Sequence, residues 1–382
     1  MVIIGGGIAG LSLAAEVAEL DGQRVERAAA AGSSRAPLRI LVLERENQFG
    51  YHTTGRSAAT FLQSYGSPEV RALTRASKPI MDAIGAESGT PILKARPWVL
   101  VAAEHQLEVL NTLMTGNADL RRVDVTAAQT LCPALRSDYV AAAAVERSSQ
   151  DIDVDVLYQQ YRRRAADAGV AQRTSIGVEA GAWTGKEWRL TTDRGELTAG
   201  RVVNAAGAWA DAIAARLGVP PAGLTPLRRT VAIVTTDRVP PTWPLVGDVG
   251  ETFYFRPDSG GVLLSPADET PSPPVDARAE MVDVAIALDR VNEATTLDLK
   301  RVRTSWAGLR TFASDRNPVV GEDPSQQAFF WYAGQGGYGI QMAPALARLG
   351  AAMLLGQRYN VPDLDLGQLA PGRDRPAKLL IH

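Results

Sequence analysis

The chain opens Met1-Val-Ile-Ile-Gly-Gly-Gly-Ile-Ala-Gly10, an apolar run long enough for one strand that breaks on three consecutive glycines. Gly5, Gly7 and Gly10 have the G-x-G-x-x-G spacing. In that arrangement the first glycine makes a tight turn, the second lets a pyrophosphate approach the backbone, and the third lets a helix pack closely on the strand. A helix is expected to follow at once, because Leu13, Val17 and Leu20 recur at i, i+4 and i+7 with Glu16 and Glu19 on other faces. Its N-terminal N–H groups and dipole would face the phosphates. The competing account is a plain glycine turn; a strand before and a helix after favour a dinucleotide.

Size and composition narrow the alternatives. A chain of 382 residues, 46% hydrophobic and with a net charge of −2, is long enough for two domains around a large core. Its 40 Lys and Arg are offset by 42 Asp and Glu, with no basic block, which disfavours nucleic acid. Cys132 is the single cysteine, so there is no zinc-type spacing and no metal is expected. A reducing, cytoplasmic location is the natural expectation. No apolar run approaches the roughly 18 residues that cross a bilayer, and no basic region precedes an apolar one at the N-terminus.

A dinucleotide fold needs a second strand ending in an acid that can hold the adenosine ribose, typically about 20 residues after the glycines. Arg39-Ile-Leu-Val-Leu-Glu44 supplies strand and acid, but lies further on. The surplus coincides with residues 23–37, a charged and then small-residue stretch that we read as a surface insertion between helix and strand. Such an insertion costs little in loop-closure entropy. The alternative for Glu44 is a solvated acid at a strand end.

Further along, Tyr51-His-Thr-Thr-Gly-Arg-Ser-Ala-Ala59 is small, polar and positively charged, suited to phosphate or ring polar atoms, or else a loop of helix caps. The segments at 97–102, 230–235, 252–256 and 261–265 read as strands of a second, antiparallel sheet. The acids Asp151, Asp153 and Asp155 precede a helical pattern and read as caps rather than metal ligands. Arg201 to Trp209 is a buried-type strand entering a small-residue turn. Phe329 to Gly339 repeats the logic of the opening, with a helical pattern from Ile340 to Leu355 and Pro344 in its first turn.

These motifs in this order, with Trp306-Ala-Gly-Leu-Arg310 and Gly334-Gln-Gly-Gly-Tyr-Gly-Ile-Gln341, resemble the D-amino-acid oxidase superfamily of flavoproteins, and within it most the D-arginine dehydrogenase type. The resemblance runs from residue 2 to about residue 355. It implies an α/β chain, α+β overall, in which a Rossmann-like FAD-binding domain (1–90, 148–222 and 302–382) is interleaved with an antiparallel-sheet substrate domain (91–147 and 223–301). It also implies noncovalent FAD, although attachment at His52 is conceivable.

Carried over residue by residue, the resemblance gives Gly5, Gly7 and Gly10 the pyrophosphate and Glu44 the ribose, with Arg45 beside it. Thr53, Thr54, Arg56, Ser57 and Ala58 match the loop at the flavin phosphate and ring; Gly336, Gly337, Tyr338, Gly339 and Ile340 match the turn at the flavin's oxygen edge. Val178, in the strand-like Ser175-Ile-Gly-Val, stands about where backbone atoms touch adenine. Ile8, Ala9, Ala206, Gly207, Trp209, Gly308 and Gln341 complete the implied cofactor contacts.

The reaction so implied is oxidative deamination of a D-amino acid to a 2-oxo acid and ammonia, with hydride passing from Cα to flavin N5. The protein's part is orientation and electrostatics. Arg310 and Tyr254 match the positions that grip the carboxylate, a planar guanidinium fork and a phenol donor. Arg229 matches a third substrate position, its neighbour Arg228 facing the other side of the strand. The resemblance also places Gly337 beside the reacting centre and makes Tyr65 a lid or pocket tyrosine. Two matches depart from the D-arginine type: Thr60 replaces a histidine, and Trp98 replaces the glutamate that pairs with a guanidinium. An indole favours apolar side chains, and a buried cation without a carboxylate is costly, so a neutral substrate is expected unless another acid takes over. Oxidation of a secondary amine such as sarcosine, of a 2-hydroxy acid, or a flavoprotein that has lost catalysis are the alternatives. Oxygen and quinone both stay open as electron acceptor. The first strand is short enough to bring FAD retention into question.

Overall fold

The computed structural model describes residues 1–258 and 260–376. Val2–Ile4 is buried on both faces and pairs in parallel with Leu41–Leu43 on one side and Val202–Asn204 on the other. A short apolar run without alternation suits that central position. Phe329–Ala333 extends the sheet beyond 202–204 and Ala171–Arg173 closes the other edge, both parallel; only Val319–Glu322, at the outer edge, runs antiparallel. Helices Ile8–Ala30, Val154–Asp167 and Gly339–Leu354 pack together over one face. A three-stranded antiparallel sheet, Val178–Trp183, Trp188–Thr192 and Gly195–Ala199, contributes to the core on the other.

Several local expectations are revised. The first helix continues through residues 23–30 to Ala30, so only its tail, 31–40, is an irregular loop. The alanines at 28–30 have the highest helix propensity of any residue, which explains the extension. Glu16 is buried: Arg164 Nη2 meets its Oε1 at 3.0 Å and Arg348 Nε its Oε2 at 3.5 Å, so this face also packs against neighbouring helices. Pro344 lies in the second turn of Gly339–Leu354 rather than the first. It cannot donate to the Ile340 carbonyl, and the next N–H, Ala345, donates to Ser77 Oγ at 3.1 Å. Ser175–Gly177 is outside any strand, which starts at Val178. Asp153 does cap its helix, accepting from Val156 N at 3.0 Å, while Asp151 pairs with Arg96 and Arg256.

The second sheet has nine strands and is mixed rather than purely antiparallel, because Leu245–Asp248 pairs in parallel with Trp98–Ala102. Its other named pairings are antiparallel. Helix Met281–Ala294 packs on it over a core that includes Phe253, Phe255, Val284 and Val291. Val302–Phe312 hydrogen-bonds along Thr225–Thr235, so residue 302 begins a strand of this sheet. That strand also meets the far glycine turn: Gly336 N donates to Thr311 O at 2.8 Å, and Phe312 bridges Gln335.

Candidate active site

A cavity of about 340 Å³ extends from the carboxyl ends of the parallel strands to the inner face of the second sheet, a size usual for a small-molecule or cofactor site. The crevice outside the strand ends is where an open α/β sheet binds ligands. Every site residue named from the sequence lines it except two, Gly10 and Tyr338.

Gly10 is absent because it serves the protein alone. A Cβ there would lie 2.0 Å from Gly5 O, and one at Gly5, whose φ is +113°, would lie 2.3 Å from Ala205 O. Strand and helix could not approach with any side chain at either position. Gly7 differs: the nearest atom to a Cβ would be Thr54 Oγ1 at 3.2 Å, and the residue faces the cavity. Its missing side chain leaves space for a ligand rather than for the fold.

Glu44 stands at the end of the neighbouring strand, its Oε2 accepting from Gly6 N and its Oε1 from Glu46 N, both at 2.9 Å. A carboxylate has about four acceptor positions, so it can still take hydroxyl donors. Glycine backbone beside a strand-end carboxylate is the donor and acceptor set that a dinucleotide requires.

Several polar groups here already have protein partners. Thr54 Oγ1 accepts from Ile8 N at 3.0 Å, and Thr53 Oγ1 donates to Leu309 O at 2.8 Å. Arg56 donates to Ala277 O, Ala307 O and Asp276. Gln341 Oε1 accepts from Leu62 N at 3.1 Å and its Nε2 donates to Thr74 Oγ1 at 3.0 Å. Val178 O accepts from Arg216 Nη1 at 2.8 Å. His52 is paired with Glu46 at 3.0 Å and stacks on Trp209, with ring centroids 4.5 Å apart.

At the other end of the cavity Arg310 projects from strand Val302–Phe312, and its Nη1 is buried with no hydrogen-bond partner among the described residues. A guanidinium stays charged, and leaving a buried donor unpaired is costly. Gly337 makes room for it, since a Cβ there would lie 2.3 Å from Arg310 Cζ. Tyr254, Tyr65, Trp98 and Arg229 line the same region, and Thr60 lies on the short strand Thr60–Phe61 at its edge. Tyr338 lies behind it, 5.2 Å from the Tyr65 ring and 5.9 Å from Phe312.

Arg229 is held by Asp268 O at 2.9 Å and by Glu269, which also pairs with Arg316 at 2.7 Å. Burial works against the Glu269 charge, but the hydrogen bond and charge of Arg316, then Arg229 and Arg310, outweigh it and lower its pKa. Arg228 faces away, onto Glu280, Asp283 and Asp268.

Two acids here were not singled out from the sequence. Glu146 is fully buried and pins the segment before Tyr65, accepting from Gln63 N at 2.8 Å, Ser64 N at 3.2 Å and Ser64 Oγ; burial raises its pKa against those bonds. Glu251 lines the cavity itself, and Tyr65 Oη donates to its Oε2 at 3.2 Å. Burial, then the Glu251 charge, push the Tyr65 phenol up, which keeps it a neutral donor. The sequence signal for Glu251 was an acid in the Asp248-Val-Gly-Glu-Thr252 turn between two apolar strands.

The profile of the DAO family, FAD dependent oxidoreductase, matches residues 1–353. The chain is 24% identical over 422 residues to FAD-dependent oxidoreductase domain-containing protein 1 of Xenopus laevis, covering 95% of this chain and 80% of that protein. It is 28% identical over 186 residues to the glycine oxidase of Bacillus licheniformis, covering 48% of this chain and 47% of that one. Among solved structures, the glycine oxidase of Geobacillus kaustophilus superposes with a TM-score of 0.82 at 22% identity, covering 98% of both chains. The L-proline dehydrogenase of P. horikoshii superposes with a TM-score of 0.81 at 20% identity, covering 97% of this chain and 96% of that one. No helix among the described residues is long and apolar enough to cross a membrane.

Proposed function

The chain belongs to the DAO family of FAD-dependent oxidoreductases, and on that footing we propose that it oxidises the carbon between the amine and carboxylate of an amino acid, the D enantiomer, giving a 2-oxo acid and ammonia. The observation that carries this reading is Arg310, whose buried Nη1 has no partner among the described residues at the cavity. An anionic ligand would satisfy it, and a guanidinium pairs a carboxylate through two oxygens at once. Gly5, Gly7, Glu44 and the turn at Gly336 and Gly337 would hold FAD, which supplies the two-electron acceptor when bound.

The chain's own residues do the rest by binding and orientation. Arg310 takes the carboxylate with the Tyr254 phenol as a further donor, and Arg229, fixed by Asp268 O and Glu269, adds positive charge on the same side. Fixing the carboxylate at this end sets which substituents of Cα face the rest of the cavity. Tyr65 and Trp98, with ring centroids 6.1 Å apart, wall the space left for the side chain. The imine released by oxidation is hydrolysed by water. The likeness of the motif set to D-arginine dehydrogenases supports the D configuration, and the similarity to a glycine oxidase and an L-proline dehydrogenase supports an amino acid or cyclic amine as substrate class.

The test is anaerobic mixing of FAD-loaded protein with D-amino acids, L-amino acids, sarcosine and 2-hydroxy acids, following loss of flavin absorbance. D-amino acids are expected to bleach it, and Arg310→Met to abolish bleaching at substrate concentrations that saturate the wild type. Bleaching only by L-amino acids, by sarcosine or by 2-hydroxy acids would replace the proposal with that substrate class.

A further inference from the structure

Trp98 and Tyr65 wall one side of the cavity, and a carboxylate reaches the same region from another element. Glu251 lies in the turn between Leu245–Asp248 and Tyr254–Asp258 and lines the cavity together with Trp98, Tyr65 and Arg310. Among the described residues its side chain takes part in no ion pair and has one hydrogen-bond donor, Tyr65 Oη, at 3.2 Å. Arg310 and Glu251 influence each other electrostatically without pairing. One cavity thus presents a guanidinium and a carboxylate that take part in no ion pair among the described residues.

The turn that carries Glu251 is built to hold it there. Asp248 Oδ2 accepts from Gly250 N at 2.9 Å, Thr252 N at 3.2 Å and Thr252 Oγ1 at 2.9 Å, and Gln106 Nε2 donates to it at 3.0 Å. Glu251 N donates to Asp248 O at 3.0 Å. Glu251 itself has a φ of +52°, the left-handed region that non-glycine residues seldom adopt. Strained backbone of this kind persists where the surroundings over-determine it and clusters at ligand sites.

We propose that Glu251 is the specificity-determining counter-ion for a second, distal positive charge on the substrate. The proposal rests on the reading that Arg310 receives the carboxylate. Glu251 suits the distal charge better than the reacting amine, because that amine must lose its proton to be oxidised and a neighbouring carboxylate would hold the proton on it. The faces of Tyr65 and Trp98 offer the same cation further attraction. A side chain ending in an ammonium or guanidinium therefore has both a carboxylate and aromatic walls to meet.

The test measures binding by calorimetry on the FAD-loaded enzyme, with the ω-amino acids 4-aminobutanoate, 5-aminopentanoate and 6-aminohexanoate against butanoate, pentanoate and hexanoate. None of these has an amine beside the carboxylate, so none is a substrate for the proposed reaction. At one chain length or more, the amino compound should bind about tenfold tighter or better than its plain counterpart, the worth of a charge-assisted hydrogen bond. In Glu251→Gln, and in Glu251→Asn, which tolerates this φ, the preference should collapse to about twofold while the plain carboxylates bind as before. Equal binding of the two series by wild type, a preference that survives in both variants, or no binding at all overturns the assignment. D-lysine, D-ornithine and D-norleucine in the bleaching assay separate the two readings. A Glu251-dependent binding preference with no bleaching by any amino acid keeps Glu251 and removes the oxidation proposal; bleaching by D-norleucine with no binding preference does the reverse.

Discussion

The guanidinium of Arg310 lies where a side chain at Gly337 would begin: Cζ and Nη2 are each 2.3 Å from the position of a Cβ on residue 337. Gly337 is thus required by a neighbour's charge rather than by its own backbone. Gly337→Ala should push the guanidinium out of line and lower kcat/KM by about 100-fold, the scale on which a small misplacement of a binding group is felt. The melting temperature of the FAD-loaded protein should move little. An alanine variant that keeps wild-type kcat/KM would remove Arg310 from the substrate grip as placed here.

The opening glycines should divide by role. Gly5→Ala meets Ala205 O at 2.3 Å and has a φ of +113°, so the protein without FAD should lose about 1–3 kcal/mol of stability or more. Gly7→Ala meets nothing closer than Thr54 Oγ1 at 3.2 Å. It should leave the apoprotein within about 0.5 kcal/mol of wild type yet weaken FAD binding by about tenfold or more. Urea unfolding of the two apoproteins, with flavin fluorescence titration, reads both quantities. Equal effects of the two substitutions on apoprotein stability would contradict this division.

Glu269, half-buried between Arg229 and Arg316, makes a pH-dependent contribution whose sign follows from its lowered pKa. A carboxyl more acidic when folded than when unfolded adds stability above its unfolded value, about 4.3, and loses it as pH falls through the folded one. Glu269→Gln removes the one carboxylate charge that both guanidinium groups share and should cost about 3–5 kcal/mol at pH 7. Urea midpoints for wild type and variant between pH 7 and pH 3 should converge at the acid end. A gap that stays constant with pH would mean that the glutamate acts through shape alone.

What could be read from the chain were the features enforced locally. The turns at Gly5 and Gly336 reveal themselves because positive φ and close contact, with Ala205 backbone at the first and the Phe312 ring at the second, leave glycine as the only comfortable residue. The extent of the first helix was misread because the distance to Glu44 was judged against the usual spacing, while the alanines before Gly32 were helix formers all along. Glu251 could not be placed, since nothing near it reveals that Leu245–Asp248 lies parallel beside Trp98–Ala102. That pairing brings residues far apart in sequence to one wall, and strand register across such a separation leaves no local mark. Arg56 shows the converse: its composition suited a phosphate, but Ala277 O, Ala307 O and Asp276 already surround it.

The pairing order of the first sheet also fixes when the binding site can come into being on a growing chain. Val2–Ile4 gains its second flanking strand only when residues 202–204 have followed, and those in turn await 329–333. The turn at Gly336 hangs from Thr311, whose strand is itself tied to residues 225–235. Neither end of the cavity can therefore close until residues 329–336 have been made. FAD meets a chain already extended past Gly336, and strand 2–4 waits for partners made long after it.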